Sequence, residues 1–301
     1  MKMLENYLSG FHFPFNVIDR NRAVSIYKPR DPFANKGNFG HALILAGSYG
    51  KIGAAVLASR ACLATGAGLL TTYLPACGYE IIQTSVPEAI VHVDEDQFHL
   101  TSYPSNLETY HSAGLGPGIG TGHETSFMVK NFIQTFTKNL VLDADALNII
   151  GKSPELLTSV RPQTIITPHP KEFDRLFGHS ADDISRLEKA RKLAQQHQII
   201  IVLKGHYTGV FLPDGTAAFN TTGNAGMAKG GSGDALTGII AALLAQSYAP
   251  PSAALLGVYL HGWAGDIAAS AYSEEAMLAT DLINSLGKVF MELKNNIRNA
   301  V

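Results

Sequence analysis

The segment NTTGNAGMAKGGSGD at residues 220–234 places five glycines within residues 223–233 and an aspartate directly after them. An apolar stretch at 235–244 follows at once and reads as a helix. Glycine allows close backbone approach and positive φ, so Gly230-Gly231-Ser232-Gly233 can turn successive N–H groups toward one concavity. The helix behind them adds its own unpaired N–H groups and the positive end of its dipole. Such a cradle suits a phosphoryl group, above all one that gains charge in a transition state. Gly231, Ser232 and Gly233 are the expected anion hole. Asp234 stands beside it, kept ionised by the dipole and placed to take a proton from an attacking hydroxyl. Acidic residues also sit at helix starts merely as decoration. The long glycine run tips the balance to catalysis, because a helix needs one cap and not five glycines.

Three other polar clusters end apolar runs. DADALN at residues 143–148 closes a strand-like run, where α/β folds place ligand-facing groups. Asp145 and Asn148 can position a substrate hydroxyl or a magnesium shell, or simply form an Asx-type cap. TPHPKE at 167–172 holds His169 between two prolines that fix the backbone on both sides, which suits substrate positioning. KGHYT at 204–208 follows the apolar run 199–203 and can meet a nucleotide's phosphate or ribose, or be a plain turn. GLGPGIG at 114–120 either lines a ligand or makes a tight strand-to-helix turn. The GSYGKIG run at 47–53 does not match GxGxxG, and no segment gives GxxxxGK[ST]. Both common nucleotide fingerprints are missing, which disfavours a P-loop NTPase and a dinucleotide dehydrogenase. There is no HExxH and no CxxC, so no zinc or redox site is expected.

The elements that must position these groups follow an ordered series. Strands are expected at 42–46, 69–74, 89–93, 140–143, 164–167 and 199–203, with helices near 54–65, 125–136 and 182–196 between them. Apolar strands with little alternation need cover on both faces, which is the signature of a parallel sheet. After Lys204 the pattern becomes a β-hairpin, 208–212 and 216–220 around Pro213-Asp214-Gly215, hence an antiparallel edge. Helices at 233–246, 252–272 and 277–295 complete an α/β fold with a mostly parallel central sheet covered on both sides. Residues 1–35 are less regular and are expected to form an N-terminal arm, with the single domain at 36–301.

Composition narrows the classes. The 301 residues carry a net charge of −2 and no long basic run, so no nucleic-acid partner is expected. Cys62 and Cys77 are too few for a disulfide framework and read as small buried hydrophobes. The first 13 residues have no apolar core of a signal peptide. Residues 235–265 lack Asp, Glu, Lys and Arg, but Gln246, Ser247, Pro250, Pro251 and Ser252 cut them into pieces too short to span a membrane. A cytoplasmic protein is expected. One of these uncharged helices is expected to face a second subunit, giving a homo-oligomer.

Taken together, KGNFGHA at 36–42, Gly47-Ser48, Gly116-Pro117-Gly118, DADALN, TPHPKE, Lys204-Gly205 and GNAGMAKGGSGD at 223–234 occur in an order that resembles the ADP/ATP-dependent NAD(P)H-hydrate dehydratases of the ribokinase-like superfamily. The likeness runs over residues 31–295, and TPHPKE and GNAGMAKGGSGD are its specific segments. Ala225 and Lys229 stand where that motif most often has Pro and Thr, and Lys229, close to the phosphoryl site, is expected to alter nucleotide handling. The resemblance implies a ribokinase-like fold and removal of water from hydrated NADH or NADPH. ADP or ATP would phosphorylate the ring hydroxyl, with Mg²⁺ carried on the nucleotide phosphates and not by direct protein ligands. It puts the hydrated coenzyme near Ala42, Gly118, His169 and Asp234, with Gly116, Asp145 and Asn148 on the same surface. The nucleotide is expected along Lys204, Gly205, His206, Tyr207 and Thr208, with Asn224 and Gly233. The family often works fused to, or beside, an epimerase for the hydrate. Residues 1–35 contain no such domain, and their abrupt start fits a chain cut from a longer protein. The competing class is a kinase of the same fold that stops after phosphorylating a vitamin precursor or sugar.

Overall fold

Apolar runs without alternation become strands whose two faces enter different cores. Ala42, Ile44 and Ala46 pack on one side of the sheet, and Leu43 and Leu45 on the other. The computed structural model describes residues 2–299. In chain order it runs α1 (Lys2–Tyr7), β1 (Phe15–Ile18), α2 (Arg20–Ile26), β2 (His41–Leu45), α3 (Ile52–Ala64), β3 (Leu69–Leu74), α4 (Tyr79–Ser85) and β4 (Ile90–Val93). Next come β5 (Ser112–Leu115), α5 (His123–Thr135), β6 (Asn139–Leu142), α6 (Ala144–Lys152), β7 (Ile165–Ile166), α7 (Pro170–Phe177) and α8 (Asp183–His197). The chain ends with β8 (Ile200–Leu203), β9 (Gly209–Phe211), β10 (Ala217–Asn220), α9 (Ser232–Ala245), α10 (Pro250–Tyr272) and α11 (Ala279–Asn299).

These strands form one ten-stranded sheet in the order β1-β10-β9-β8-β7-β6-β5-β2-β3-β4. Every neighbouring pair is parallel except β8/β9 and β9/β10, so β9 alone runs against the rest. The expected hairpin is therefore present. One margin of the sheet is not the hairpin but β1, which pairs parallel with β10, Phe15 opposite Ala217 and Ile18 opposite Asn220. Residues 1–35 thus hold more regular structure than an arm: Asp19 caps α2 through the amide of Arg22, and α2 packs on α10 and α11.

The uncharged helices turn inward. All of α9 from Ala235 to Ala245 is buried, and so is α10 from Ala253 to Leu260. Their apolar surface is covered by α3, α11 and the sheet, which removes the reason for assigning it to a second subunit. No helix among the described residues is long and apolar enough to cross a membrane.

Candidate functional site

The chain goes out from β2 to β3 and β4 and then returns to lay β5 on the other side of β2. Strand order reverses there, and loops leaving the two carboxyl ends diverge to open a crevice. The loops are tied across it: the Gly47 amide donates to the Pro117 carbonyl at 2.8 Å and the Ser48 hydroxyl to the Gly118 carbonyl at 2.7 Å. Gly116 has φ +131°, and a Cβ there would lie 1.9 Å from the Asp143 carbonyl oxygen, so only glycine lets the end of β5 meet the end of β6.

Asp143, directly after β6, is buried and precedes Ala144 in a left-handed conformation of φ 49°. Its Oδ1 accepts from Lys204 Nζ at 2.8 Å and its Oδ2 from Thr237 Oγ1 at 2.9 Å. Lys204 follows β8, Thr237 lies on α9, and Glu172 Oε2, on α7, is 3.9 Å from the same ammonium. Burial opposes the charge on Lys204, but Asp143, Glu172 and Asp234 together outweigh it and hold its pKa above the ordinary lysine value. A cation and its carboxylates thus brace the amino end of α9 against two strands. Gly233 sits directly over this pair, a Cβ there falling 3.4 Å from Lys204 Nζ.

Asp234 lies on the first turn of α9. The dipole was expected to keep its carboxyl low; burial, then the negative charges of Asp143 and Asp145, instead push it up to about 6, against the pull of Lys204. It remains mostly ionised at neutral pH and close to the proton affinity that suits a general base.

The glycine run turns the chain into α9. Gly231 has φ +97°, and a Cβ there would sit 2.5 Å from Leu57 Cδ1, so no side chain fits. Among the described residues the amides of Gly231, Gly233 and Asp234 have no backbone acceptor. Behind them His261 Nε2 is 2.8 Å from the Ser232 carbonyl. Burial pushes that imidazole down to about 4, so it is neutral and must donate from Nε2. Gly230, Gly231, Ser232 and Gly233 line one wall of a cavity of ≈ 700 Å³, within the range of small-molecule sites. Lys204, Gly205, His206, Thr208, His169 and Asn224 also line it.

His169 caps α7: its Nδ1 accepts from the amides of Lys171 (3.2 Å) and Glu172 (3.3 Å), while Glu172 Oε2 accepts from its backbone N–H at 2.9 Å. That leaves the proton on Nε2. Burial lowers its pKa, and the nearby Lys204 and Arg175 add to this against Glu172. Asp145 Oδ2 accepts from the Gly120 amide at 2.8 Å, and its Oδ1 from Asn148 Nδ2 at 3.3 Å.

Most of the residues expected from the sequence meet at this crevice, but three do not play the part assigned. Ala42 is fully buried within β2, toward its amino end, and packs in the core beneath α9. Tyr207 turns away from the cavity, its ring 5.3 Å from that of Tyr7. Lys229 lines the cavity, yet its ammonium donates to the carbonyls of Glu275 and Met277 and ties down the segment before α11 instead of reaching the anion hole. Asn224 is on the rim, with Oδ1 accepting from Gly226 N and Nδ2 donating to Asp266, whose other oxygen takes the Gly223 amide.

Sequence reasoning passed over Asp143, Glu172, Thr237, His261 and Asp266 as site residues. The first two stood in motifs already singled out. Thr237 lies one turn after Asp234, a spacing that puts both on one helix face. His261 is the one histidine in a stretch without Asp, Glu, Lys or Arg, and Asp266 is the first charge after it.

Residues 42–288 match the family model described as NAD(P)H-hydrate dehydratase. A bifunctional NAD(P)H-hydrate repair enzyme from Moorella thermoacetica is 38% identical over 96% of this chain, and the chain spans 56% of that enzyme's length. The crystal structure of the ADP/ATP-dependent NAD(P)H-hydrate dehydratase of Bacillus subtilis, co-crystallised with ATP and Mg²⁺, superposes with a TM-score of 0.79 at 30% identity, covering 93% of this chain and 99% of that one. A ribokinase-like superfamily protein of Enterococcus faecalis superposes with a TM-score of 0.82 at 28% identity, covering 93% of this chain and 96% of that one. The fold is ribokinase-like, and the chain belongs to the NAD(P)H-hydrate dehydratase family.

Proposed function

We propose that this chain removes water from hydrated NADH or NADPH at the expense of ADP or ATP, with Asp234 as the base. The observation that carries the reading is Asp234 itself: a carboxyl near pKa 6 on the first turn of a helix whose unpartnered amides line a nucleotide-sized cavity.

Hydroxide leaves poorly, so direct dehydration of the ring is slow. Asp234 takes the proton from the ring hydroxyl as its oxygen attacks the terminal phosphorus of the nucleotide, breaking the bridging P–O bond and releasing AMP from ADP or ADP from ATP. The amides of Gly231, Ser232 and Gly233 meet the charge that builds on the migrating phosphoryl group. The ring nitrogen's lone pair then expels phosphate to give an iminium, and loss of a proton from the adjacent ring carbon to the departing phosphate or water completes the carbon–carbon double bond. Lys204 stays bound to Asp143 and holds α9's amino end in place; its charge also restrains the rise of Asp234's pKa. His169, which lines the cavity with its Nε2 3.4 Å from Glu172 Oε1, can turn that N–H to the substrate. Gly116, Gly118, Asp145 and Asn148 face the substrate across the crevice, while Lys204, Gly205, His206, Thr208, Asn224 and Gly233 surround the nucleotide.

Among the described residues no group of three His, Cys, Asp or Glu side chains is arranged to hold a metal ion. The donor set fits Mg²⁺ arriving on the nucleotide, where it would neutralise phosphate charge, and no side chain here is assigned to it.

In this reading the chain acts in the cytoplasm, in keeping with its two unpaired cysteines. An epimerase of the hydrate is its functional partner, and the repair enzyme that it matches over about half the length is named as bifunctional. A homo-oligomer would now rest on the exposed Tyr79, Ile81, Ile90 and Val93 beside the sheet margin at β4, not on α9 or α10. Incubation with hydrated NADH and ADP, then ATP, tests the activity. Recovery of the reduced-nicotinamide absorbance with release of phosphate is expected; accumulation of a stable phosphorylated alcohol would make the protein a kinase instead.

A further inference from the structure

We propose that the depression between α6 and α7 binds a phosphate group of the dinucleotide substrate, with Lys152 and Arg175 as its charged donors. The inference rests on the dehydratase reading and adds which part of the substrate is gripped, and by what.

The depression has a volume of ≈ 460 Å³ and is lined by Thr121, Asp145, Asn148, Gly151, Lys152 and Arg175. It adjoins the reaction crevice through Asp145, whose charge acts on Asp234, and through Arg175, whose charge acts on His169. A substrate with its nicotinamide at Asp234 must run its remaining length somewhere, and this polar depression shares Asp145 and Asn148 with the substrate side of the crevice.

Its cations are held but not neutralised. Arg175 donates to Asn148 Oδ1, Asn148 to Asp145, and Asp145 accepts the Gly120 amide, so one relay of neutral and anionic groups fixes the guanidinium. Lys152 Nζ donates to Thr121 Oγ1 at 3.2 Å. Among the described residues no carboxylate pairs with Lys152 or Arg175. Arg186 shows the contrast: it is clamped by Asp174, the neighbour of Arg175 in sequence, and by Asp183. A guanidinium with most of its five N–H groups left over, an ammonium beside it and a hydroxyl between strand and helix together make a phosphate receptor.

The bland account is that both cations occupy the last turns of α6 and α7, where they favour the helix dipoles. That account predicts an effect on stability alone. Phosphate recognition predicts an effect on substrate binding.

The substrate carries a bridging pyrophosphate in both hydrates and a 2′-phosphate only in hydrated NADPH. Steady-state kinetics with each hydrate, and direct binding of NADH and NADPH, should be measured for the unaltered protein and for Lys152→Ala, Arg175→Ala and Arg175→Lys. Each alanine variant is expected to raise KM about tenfold, the loss of one charge-assisted hydrogen bond, with part of it regained in Arg175→Lys. A rise for both hydrates identifies the pyrophosphate; a rise for hydrated NADPH alone identifies the 2′-phosphate. KM values unchanged in both alanine variants, with only the melting temperature lowered, would overturn the proposal. Should Arg175→Ala fail to fold, Lys152→Ala decides, since among the described residues that ammonium hydrogen-bonds to Thr121 alone. If the protein dehydrates neither hydrate with either nucleotide, yet loses NADPH affinity in these variants, the subsite stands and the dehydratase reading falls.

Discussion

Asp94 and Asp234 are both shielded aspartates near loops of the sheet's carboxyl edge, and their surroundings drive them in opposite directions. Burial is the largest single influence on each and raises both. Asp94 then accepts hydrogen bonds from the amides of Asp96, Thr101 and Ser102 and from the Thr101 hydroxyl, and these bring its pKa below the usual carboxylate value. Among the described residues Asp234 has no such donors; two further carboxylates add their negative charge, and it rises to about 6. A buried aspartate wrapped in donors organises a loop, here residues 94–102. A buried aspartate denied donors is held ready to take a proton. The difference separates scaffold from chemistry more sharply than burial or charge does alone.

The largest expected effect breaks the comparison at the reactive end. Asp234→Asn should lower dehydration turnover at least ~10²-fold, because no neighbouring group replaces the proton acceptor, while nucleotide affinity stays largely intact. Turnover and calorimetric nucleotide titration, run side by side, check it. Near-native turnover would remove Asp234 from the mechanism. The next effect breaks the scaffold end. Asp94→Ala leaves the half-buried amides of residues 96 and 101, and that of 102, without their acceptor and should cost about 2 kcal/mol in urea unfolding. Turnover per folded molecule should barely change. A large loss of turnover with intact stability would mean that the loop at 94–102 takes part in the reaction and that donor count does not sort these residues.

The part of this arrangement that could be read from the sequence is the part written in local pattern. Apolar runs of strand length gave β2, β3, β8 and the hairpin, and the glycines before an apolar helix marked the cradle and Asp234. Elements whose sequence signal is weak were passed over. β5 reads SAGL, too small and polar to look like a strand, and it is buried only because neighbours lie on both sides of it. β1 is four residues among aromatics, and its partner β10 lies some two hundred residues on. α7 begins at a proline and is capped by a histidine, which is not among the usual capping residues. The same limit applied within the site. Asp143, Lys204 and Thr237 come from three separate elements, and only the fold makes them one hydrogen-bonded group. Nor could sequence tell that Asp234 would rise, since its burial is set by the fold and the carboxylates that add to the rise lie about ninety residues away from it in the chain.

The smallest expected effect sharpens the comparison because its sign differs between the two residues. A carboxyl whose folded pKa is about 6 binds protons more tightly in the folded chain than in the unfolded one, where its pKa is about 4. Its charge therefore opposes folding at any pH above 6, and the penalty fades as pH falls through that value toward 4. Asp234 is partly exposed, so solvent screening reduces the penalty to about 1 kcal/mol. Asp234→Asn should thus be more stable than the unaltered protein by about 1 kcal/mol at pH 8 and no more stable near pH 4, as read from urea midpoints. Asp94 must behave in the reverse sense: its lowered pKa contributes stability that is complete above the unfolded carboxylate range and is lost as pH drops below it. An Asp234→Asn variant that is less stable at pH 8 would show that the carboxylate has donors in solution after all, and the line drawn between these two aspartates would vanish.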